Sequence, residues 1–292
     1  YLAIGDGQIQ FSQLIETARP HAYDMFSNLS KIAILSSMAW GLGYFGQPHI
    51  LVRFMAADSV KSIPAARRIG MSWMILCLSG AVGAGFFGIA FFQAYPDLSG
   101  KVSSNSELVF MQLTQILFNP WVAGIVMAGI LSAVMSTLSC QLLVCSTTLT
   151  EDFYKAFIRK NASQKELVWV GRLMVLAIAT FAIVLASNPD SKVLGLVAYA
   201  WAGFGAAFGP LIILSLLWKR MTLSGAVAGM VVGAVTVILW KNVFASTGLY
   251  EIVPGFILAT LAIIVVSLIS KAPTRDMLER FEHADEIYHR EH

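Results

Sequence analysis

The stretch PWVAGIVMAGILSAVMSTLSCQLLVCSTTL, residues 120–149, decides the fold class of this chain, because it contains no Asp, Glu, Lys, Arg or His. An α-helix needs about 20 predominantly apolar residues to cross the hydrocarbon core of a bilayer. This stretch is longer than that, so we expect it to cross with a tilt or with one protruding end.

Similar apolar runs recur through the rest of the chain. Its 292 residues are 57% hydrophobic and only 13% charged, whereas a soluble domain carries about 25% charged residues because its surface meets water. We therefore predict an all-α integral membrane protein. The runs place seven spans at about 32–52, 69–93, 120–149, 168–187, 193–218, 222–240 and 252–270.

The Lys and Arg residues predict the orientation of these spans. With seven spans, fifteen basic residues fall on the side of the C-terminal tail and five fall on the other. Cytoplasmic loops are the ones enriched in Lys and Arg. The pattern predicts an extracytoplasmic segment 1–31, five spans within 32–218, two more within 219–271, and a cytoplasmic tail at 272–292.

Several function classes lack the residues that they need. No basic stripe with interleaved aromatic residues is present, so nucleic-acid binding is not expected. No catalytic or cofactor-binding motif is found, so we predict that the protein is not an enzyme and holds no cofactor. The spans contain almost no ionisable side chains, which argues against a proton pump.

The segment WGLGYFGQP, residues 40–48, is unsuited to a continuous helix. Gly41, Gly43 and Gly46 each disfavour helix by about 1 kcal/mol, and Pro48 does so by about 3 kcal/mol. We expect a broken helix here, with Trp40 and Tyr44 as aromatic walls. Broken helices form substrate sites in secondary transporters. The alternative is an ordinary proline kink flanked by interfacial aromatic residues.

Residues 133–141 form a second candidate site. Ala133, Ser136, Thr137 and Cys140 share one helix face. Two hydroxyls beside a backbone carbonyl suit a weakly bound monovalent cation. The alternative is that these hydroxyls donate to the carbonyl one turn earlier in the same helix.

Two further segments are rich in small residues. Residues 195–210 combine glycines with aromatic side chains, which indicates either a moving gate or a tightly packed helix. Gly225, Gly229 and Gly233 form a double GxxxG motif, which is typical of close helix packing in membranes.

The chain resembles the sodium:solute symporter family. The resemblance is carried by GLGYFGQPHILVRFMAADS (41–59), LSAVMSTLSCQLLVCSTTLTEDFYKAF (131–157), ASQKELVWVGRLMVL (162–176), LVAYAWAGFGAAFGP (196–210) and SLLWKRMTLSGAVAGMVVGAV (215–235). It implies a LeuT-type fold in a bacterial inner membrane, with the first five spans as the second inverted repeat and the last two as peripheral helices. It also implies that an N-terminal portion precedes the chain, which begins without Met.

The resemblance implies sodium-coupled uptake of a small amino acid, with L-proline as the expected solute and sodium as the coupling ion. The Ala133 carbonyl and the Ser136 and Thr137 hydroxyls would bind sodium, and no other metal is expected. Trp40, Tyr44 and Pro48 would bind the solute, and the missing N-terminal portion would complete both sites. Pantothenate, a sugar or another amino acid are alternative solutes. A channel or a membrane-complex subunit without solute coupling is the alternative class.

Overall fold

The computed structural model describes residues 11–27, 29–187 and 193–291, and all regular structure within these ranges is helical. Residues 1–10 and 28 of the predicted segment 1–31 lie outside the described residues, as does residue 292 of the predicted tail. Within the described ranges, six helices are long and apolar enough to cross a membrane, which confirms the all-α membrane fold. They are Val60–Ala94, Pro120–Ile158, Gln164–Ala186, Val193–Leu217, Leu223–Val243 and Ile252–Ile269.

The predicted span 32–52 is not one of these six, because it is discontinuous. It consists of the α-helix α2 (Lys31–Ala39), a 3-10 helix (Trp40–Gly46) and the α-helix α3 (Pro48–Met55). Gln47 separates the last two, with φ −83° and ψ 117°. Extended backbone is what steric clash with a following proline ring favours, so Pro48 helps to fix this break.

The chain divides into two compact units. The first consists of residues 1–28 and 62–140. Its Leu14 and Ile15 are buried together with Ala90, so a short amphipathic helix is fixed to a long apolar one. The helices of this unit are α1 (Phe11–Ala18), α4 (Ile63–Ala94), α5 (Gly100–Ser104), α6 (Val109–Leu117) and most of α7 (Pro120–Thr147).

The second unit consists of residues 29–61 and 141–292. Helix α7 ends in this unit and continues as a π-helix, Thr148–Ile158. The α-helices that follow are α8 (Gln164–Ala186), α9 (Val193–Leu217), α10 (Leu223–Val243), α11 (Ile252–Ile269) and α12 (Arg275–Glu291). Helices α9, α10 and α11 pack against one another, and the 3-10 helix Trp40–Gly46 packs on α9.

The double GxxxG motif lies at the centre of this three-helix packing. Gly225 contacts Ser267 and Gly229 contacts Ile263, both on α11, so closely that an added Cβ would overlap these side chains. Gly233 packs against the Ala206 carbonyl of α9 in the same way. That carbonyl lies four residues before Pro210, which has no N–H to donate to it. Glycine therefore lets α10 approach a part of α9 where the helical hydrogen bond is missing.

The stretch 195–210 lies within one helix and is closely packed from Ala202 onward, whereas residues 195–200 are mostly exposed. Ala202, Ala206 and Pro210 are buried, as are Gly205 and Gly209. These positions follow one another at intervals of one helical turn, so the small residues form the surface on which neighbouring helices pack.

Candidate functional site

Two of the three glycines in the broken segment are required by its contact with α9. A Cβ on Gly43 would overlap the Trp201 indole, and one on Gly46 would overlap the Phe204 carbonyl. Glycine is also needed on the α9 side of this contact, because a Cβ on Gly205 would lie 2.7 Å from the Gly43 Cα atom. Gly41 differs, because a Cβ there would meet nothing within 4 Å among the described residues. Gly43 and Gly46 thus allow backbone-to-backbone contact.

Trp201 fixes both ends of the 3-10 helix by hydrogen bonds. Its indole Nε1–H donates to the Trp40 carbonyl at 2.9 Å, at the start of the segment. The Gln47 Nε2–H donates to the Trp201 carbonyl at 3.2 Å, at the end of the segment. Gln47 is only 3% exposed. A buried amide needs a hydrogen-bond partner, so the bond to the Trp201 carbonyl fixes the position of Gln47 beside α9.

The predicted aromatic walls have different surroundings. Trp40 stacks with Trp201 and Tyr250, with ring centroids 5.9 and 5.7 Å away. Tyr44 contacts the Trp201 ring edge-on at 4.9 Å and remains 49% exposed. Pro48 is the first residue of α3 and partly buried. Trp40 is therefore largely covered by protein rings, whereas about half of the Tyr44 surface is uncovered.

Tyr250 anchors the loop between α10 and α11 next to these rings. Its hydroxyl donates to the Ala198 carbonyl at 2.7 Å, and its backbone N–H donates to Ser36 Oγ at 3.0 Å. Burial raises the pKa of Tyr250, and the nearby Glu251 carboxylate raises it further. The phenol therefore stays protonated and remains a hydrogen-bond donor.

The predicted cation ligands lie on α7, in the part of the helix that belongs to the first unit. The Thr137 hydroxyl donates to the Ala133 carbonyl at 3.1 Å, and Ser136 lies on the same turn. All three residues are exposed. A hydroxyl that donates to the carbonyl one turn earlier in its own helix is the alternative to a cation site given in the sequence analysis. The bond also holds two uncharged oxygens side by side on an accessible helix face.

No group of three or more His, Cys, Asp or Glu side chains among the described residues is arranged to hold a metal ion. The oxygens of Ala133, Ser136 and Thr137 carry no formal charge. Neutral oxygen ligands bind a monovalent cation weakly enough for it to be released again.

Sequence reasoning did not assign roles to Gln47, Trp201 or Tyr250. Gln47 had a signal, since it is an isolated amide between Gly46 and Pro48 in an apolar stretch. Trp201 lies in the stretch 195–210, where the sequence indicates either a gate or close packing but no hydrogen-bonding role. Tyr250 had no signal in the sequence, because its importance arises from contacts with residues more than fifty positions away.

Comparison with known proteins gives a consistent set of relatives. A model of the sodium:solute symporter family matches residues 2–233. The sodium/proline symporter of Salmonella typhimurium is 62% identical over 282 residues, which cover 96% of this chain and 56% of that protein. The sodium/proline symporter of Escherichia coli is 65% identical over 266 residues, covering 91% of this chain and 53% of that protein.

A more distant relative is the high-affinity proline transporter of Bacillus subtilis, which is 51% identical over 267 residues, covering 91% of this chain and 56% of that protein. The chain spans about half the length of the curated relatives that it matches. No solved structure gives a significant match.

Proposed function

Because the chain belongs to the sodium:solute symporter family, we propose that it is the C-terminal part of a transporter that couples inward sodium movement to L-proline uptake. The observation that carries this proposal is the broken helix at Gln47, which is fixed on α9 and leaves Tyr44 half exposed. The proline-transporting relatives support the choice of solute. No chemical bond changes in the proposed cycle.

Sodium binds the Ala133 carbonyl oxygen and the Ser136 and Thr137 hydroxyl oxygens in this proposal. What supports it is placement: the Thr137 hydroxyl and Ala133 carbonyl oxygens lie 3.1 Å apart on one exposed turn, although the hydroxyl donates to that carbonyl in this structure. A hydroxyl has two acceptor lone pairs and rotates freely. Thr137 can therefore turn its proton away and direct an oxygen lone pair at the ion. The remaining ligands come from the part of the relatives that this chain does not cover.

Proline binds at the broken helix in this proposal. Its apolar ring packs on the exposed surface of Tyr44, while Trp40 supports Tyr44 through their shared neighbour Trp201. The helix ends on either side of Gln47, including the start of α3 at Pro48, bind the carboxylate and ammonium groups. Helix N-termini attract anions, and free carbonyls at helix C-termini attract cations.

The predicted topology completes the proposal. The chain crosses the membrane of a bacterial cell with its C-terminal tail in the cytoplasm, as the excess of Lys and Arg on that side predicts. Segment 1–31 is extracytoplasmic. Residues 32–218 form the second inverted repeat, residues 219–271 form two peripheral spans, and residues 272–292 form the tail.

The sodium gradient provides enough free energy for accumulation. Moving one positive charge inward at 100 mV provides about 2.3 kcal/mol. A tenfold sodium gradient adds about 1.4 kcal/mol. At a one-to-one ratio of sodium to solute, the sum supports an accumulation of roughly several hundredfold.

Uptake by proteoliposomes that contain the complete transporter tests this function. Labelled proline should accumulate only with an inward sodium gradient, should show counterflow, and should be displaced by unlabelled proline better than by pantothenate, a sugar or other amino acids. Displacement by another solute would reassign the substrate. Linear, non-saturating flux without counterflow would indicate a channel instead.

Substitution of Tyr44 tests the proposed contact with proline. Tyr44→Ala should weaken proline binding by about tenfold, because an aromatic contact contributes roughly 0.5–1.5 kcal/mol beyond the area that it buries. Tyr44→Phe keeps the ring and should restore most of the affinity. Proline affinity and sodium affinity are measured in the same preparation, and equal losses of both would point to a general structural defect.

A further inference from the structure

A groove of about 980 Å³ separates the tail helix α12 from the ends of the membrane-spanning helices α9 and α10. It lies entirely within the second unit. Helix α12 is held beside this groove by the Lys219–Glu282 ion pair at 3.3 Å, and the Lys219 ammonium lies 5.7 Å from the Phe281 ring centroid. The tail therefore borders an open groove rather than packing directly on the bundle.

The walls of the groove are mostly apolar. Leu217 and Leu223 line it from the spanning helices, and Met277 and Phe281 line it from α12. Met277, Phe281, Ala284 and Ile287 occupy one stripe of α12, at spacings of three and four residues. An apolar stripe of this kind lies against an apolar medium in stable proteins.

The charged residues that line the groove are Lys219 and Arg280, and both are positive. Each has an acidic partner outside the lining, Glu282 for Lys219 and Asp276 for Arg280. Both ion pairs are more than half exposed, so water and salt screen them and each stabilises the fold only weakly. A stronger anionic ligand in the groove can therefore share or replace these partners at little cost.

The groove lies at the boundary of the membrane-spanning segments. Helix α9 ends at Leu217 and α10 begins at Leu223, and both residues are more than 70% exposed. Trp218 follows directly and also lines the groove. Tryptophan is enriched where hydrocarbon meets the headgroup layer. The groove is thus continuous with the surface that faces lipid.

We propose that this groove is a binding site for an anionic phospholipid. The acyl chain lies along the apolar stripe of α12, and the phosphate meets Lys219 and Arg280. Basic pockets at the ends of spanning helices are suited to lipid headgroups in this way. The lipid fills the gap between α12 and the bundle and so holds the tail at the membrane surface.

Native mass spectrometry of the complete transporter in detergent, with added phosphatidylglycerol or phosphatidylcholine, tests the site. Phosphatidylglycerol should be retained preferentially. Lys219→Gln with Arg280→Gln should weaken its retention by at least about tenfold, because two basic contacts are lost. Equal retention of the two lipids by the unaltered protein would overturn the proposal.

A matched pair of charge changes controls for net charge. Lys271→Gln with Arg275→Gln removes the same charge from residues that do not line the groove, and should change retention by less than about twofold. Equal weakening by both double variants would overturn the site. So would displacement of phosphatidylglycerol by millimolar inorganic phosphate, which would show that free phosphate is the ligand.

A second pair of variants tests the acyl-chain position. Ala284→Trp fills the groove and should lower phosphatidylglycerol retention, whereas His283→Trp, which does not line it, should leave retention unchanged. No difference between them would overturn the proposed chain position. A dimer of the transporter that Ala284→Trp dissociates would instead identify a second copy as the occupant.

Discussion

Two helix surfaces in this chain carry the same pattern of small residues but have different surroundings. On α10, Gly225, Gly229 and Gly233 each contact a neighbouring helix closely. On α7, small residues also recur every four positions, as Gly124-Ala128-Ser132 and Gly129-Ala133-Thr137, but a Cβ at Gly124 or Gly129 would meet nothing within 4 Å in the described part of the chain. The pattern therefore marks a surface built for close packing without specifying its partner. For α7 we propose that the partner lies in the part of the relatives that this chain does not cover.

The largest expected effect concerns the hydroxyls on α7. Ser136→Ala with Thr137→Ala should raise the sodium concentration for half-maximal uptake by about a hundredfold or more. Hydrogen bonds and ligand contacts to charged groups contribute about 1.5–3 kcal/mol each. Sodium dependence of proline uptake is measured in the complete transporter. An unchanged sodium requirement would remove these residues from the ion site and leave the hydroxyls with a role in their own helix.

The next largest effect concerns the packed surface of α10. Gly233→Val should destabilise the folded protein by about 3 kcal/mol, because the new side chain overlaps the Ala206 carbonyl on α9. Thermal unfolding in detergent measures this loss. Gly195→Val is the matched control, because a Cβ at Gly195 meets nothing within 4 Å among the described residues. Similar midpoints for the two variants would contradict the packing seen here.

Gly129→Val sharpens the comparison between the two surfaces. We expect it to destabilise the complete transporter by about 1–3 kcal/mol, because the partner proposed for this face of α7 would leave no room for the added volume. The measurement is the same thermal unfolding assay. A midpoint like that of the unaltered protein would show that this side of α7 faces lipid.

The smallest effect concerns the hydrogen bonds that fix the broken helix. Gln47→Ala removes the donor to the Trp201 carbonyl, and the loss of a buried bond costs about 1–3 kcal/mol. We expect proline affinity to fall by about tenfold, with a smaller change in sodium affinity. The control is Asn242→Ala, whose amide donates to the Ile238 carbonyl of its own helix. If both substitutions leave proline affinity unchanged, Gln47 does not position the site.

The sequence predicted the break near Pro48 for a local reason. Glycine and proline disfavour helix wherever they occur, so Gly41, Gly43, Gly46 and Pro48 together indicated an interruption without knowledge of neighbours. Their separate roles were not predictable in this way. Gly43 and Gly46 lie so close to α9 that a Cβ would overlap it, whereas a Cβ on Gly41 would touch nothing among the described residues. This difference depends on which side of the segment faces α9.

The separate roles of the aromatic residues also could not be predicted from the sequence, because they depend on tertiary neighbours. Trp40 and Tyr44 were both predicted as aromatic walls, and their spacing of four residues would place them on one stripe of an intact α-helix. The segment is a 3-10 helix with about three residues per turn, so that spacing does not give them equal surroundings. Trp201 and Tyr250 engage Trp40, and Tyr44 remains half exposed.

By itself, the sequence determined that this protein is a helical membrane protein whose chain is interrupted near residue 47. Length, hydrophobicity and backbone propensity are properties of short segments, so they act before any tertiary contact forms. Only the tertiary structure decided that Trp201 fixes both ends of the interruption, that Gly233 lies on a carbonyl freed by Pro210, and that α12 borders a groove. These contacts join residues far apart in the chain, and their geometry depends on how whole helices pack.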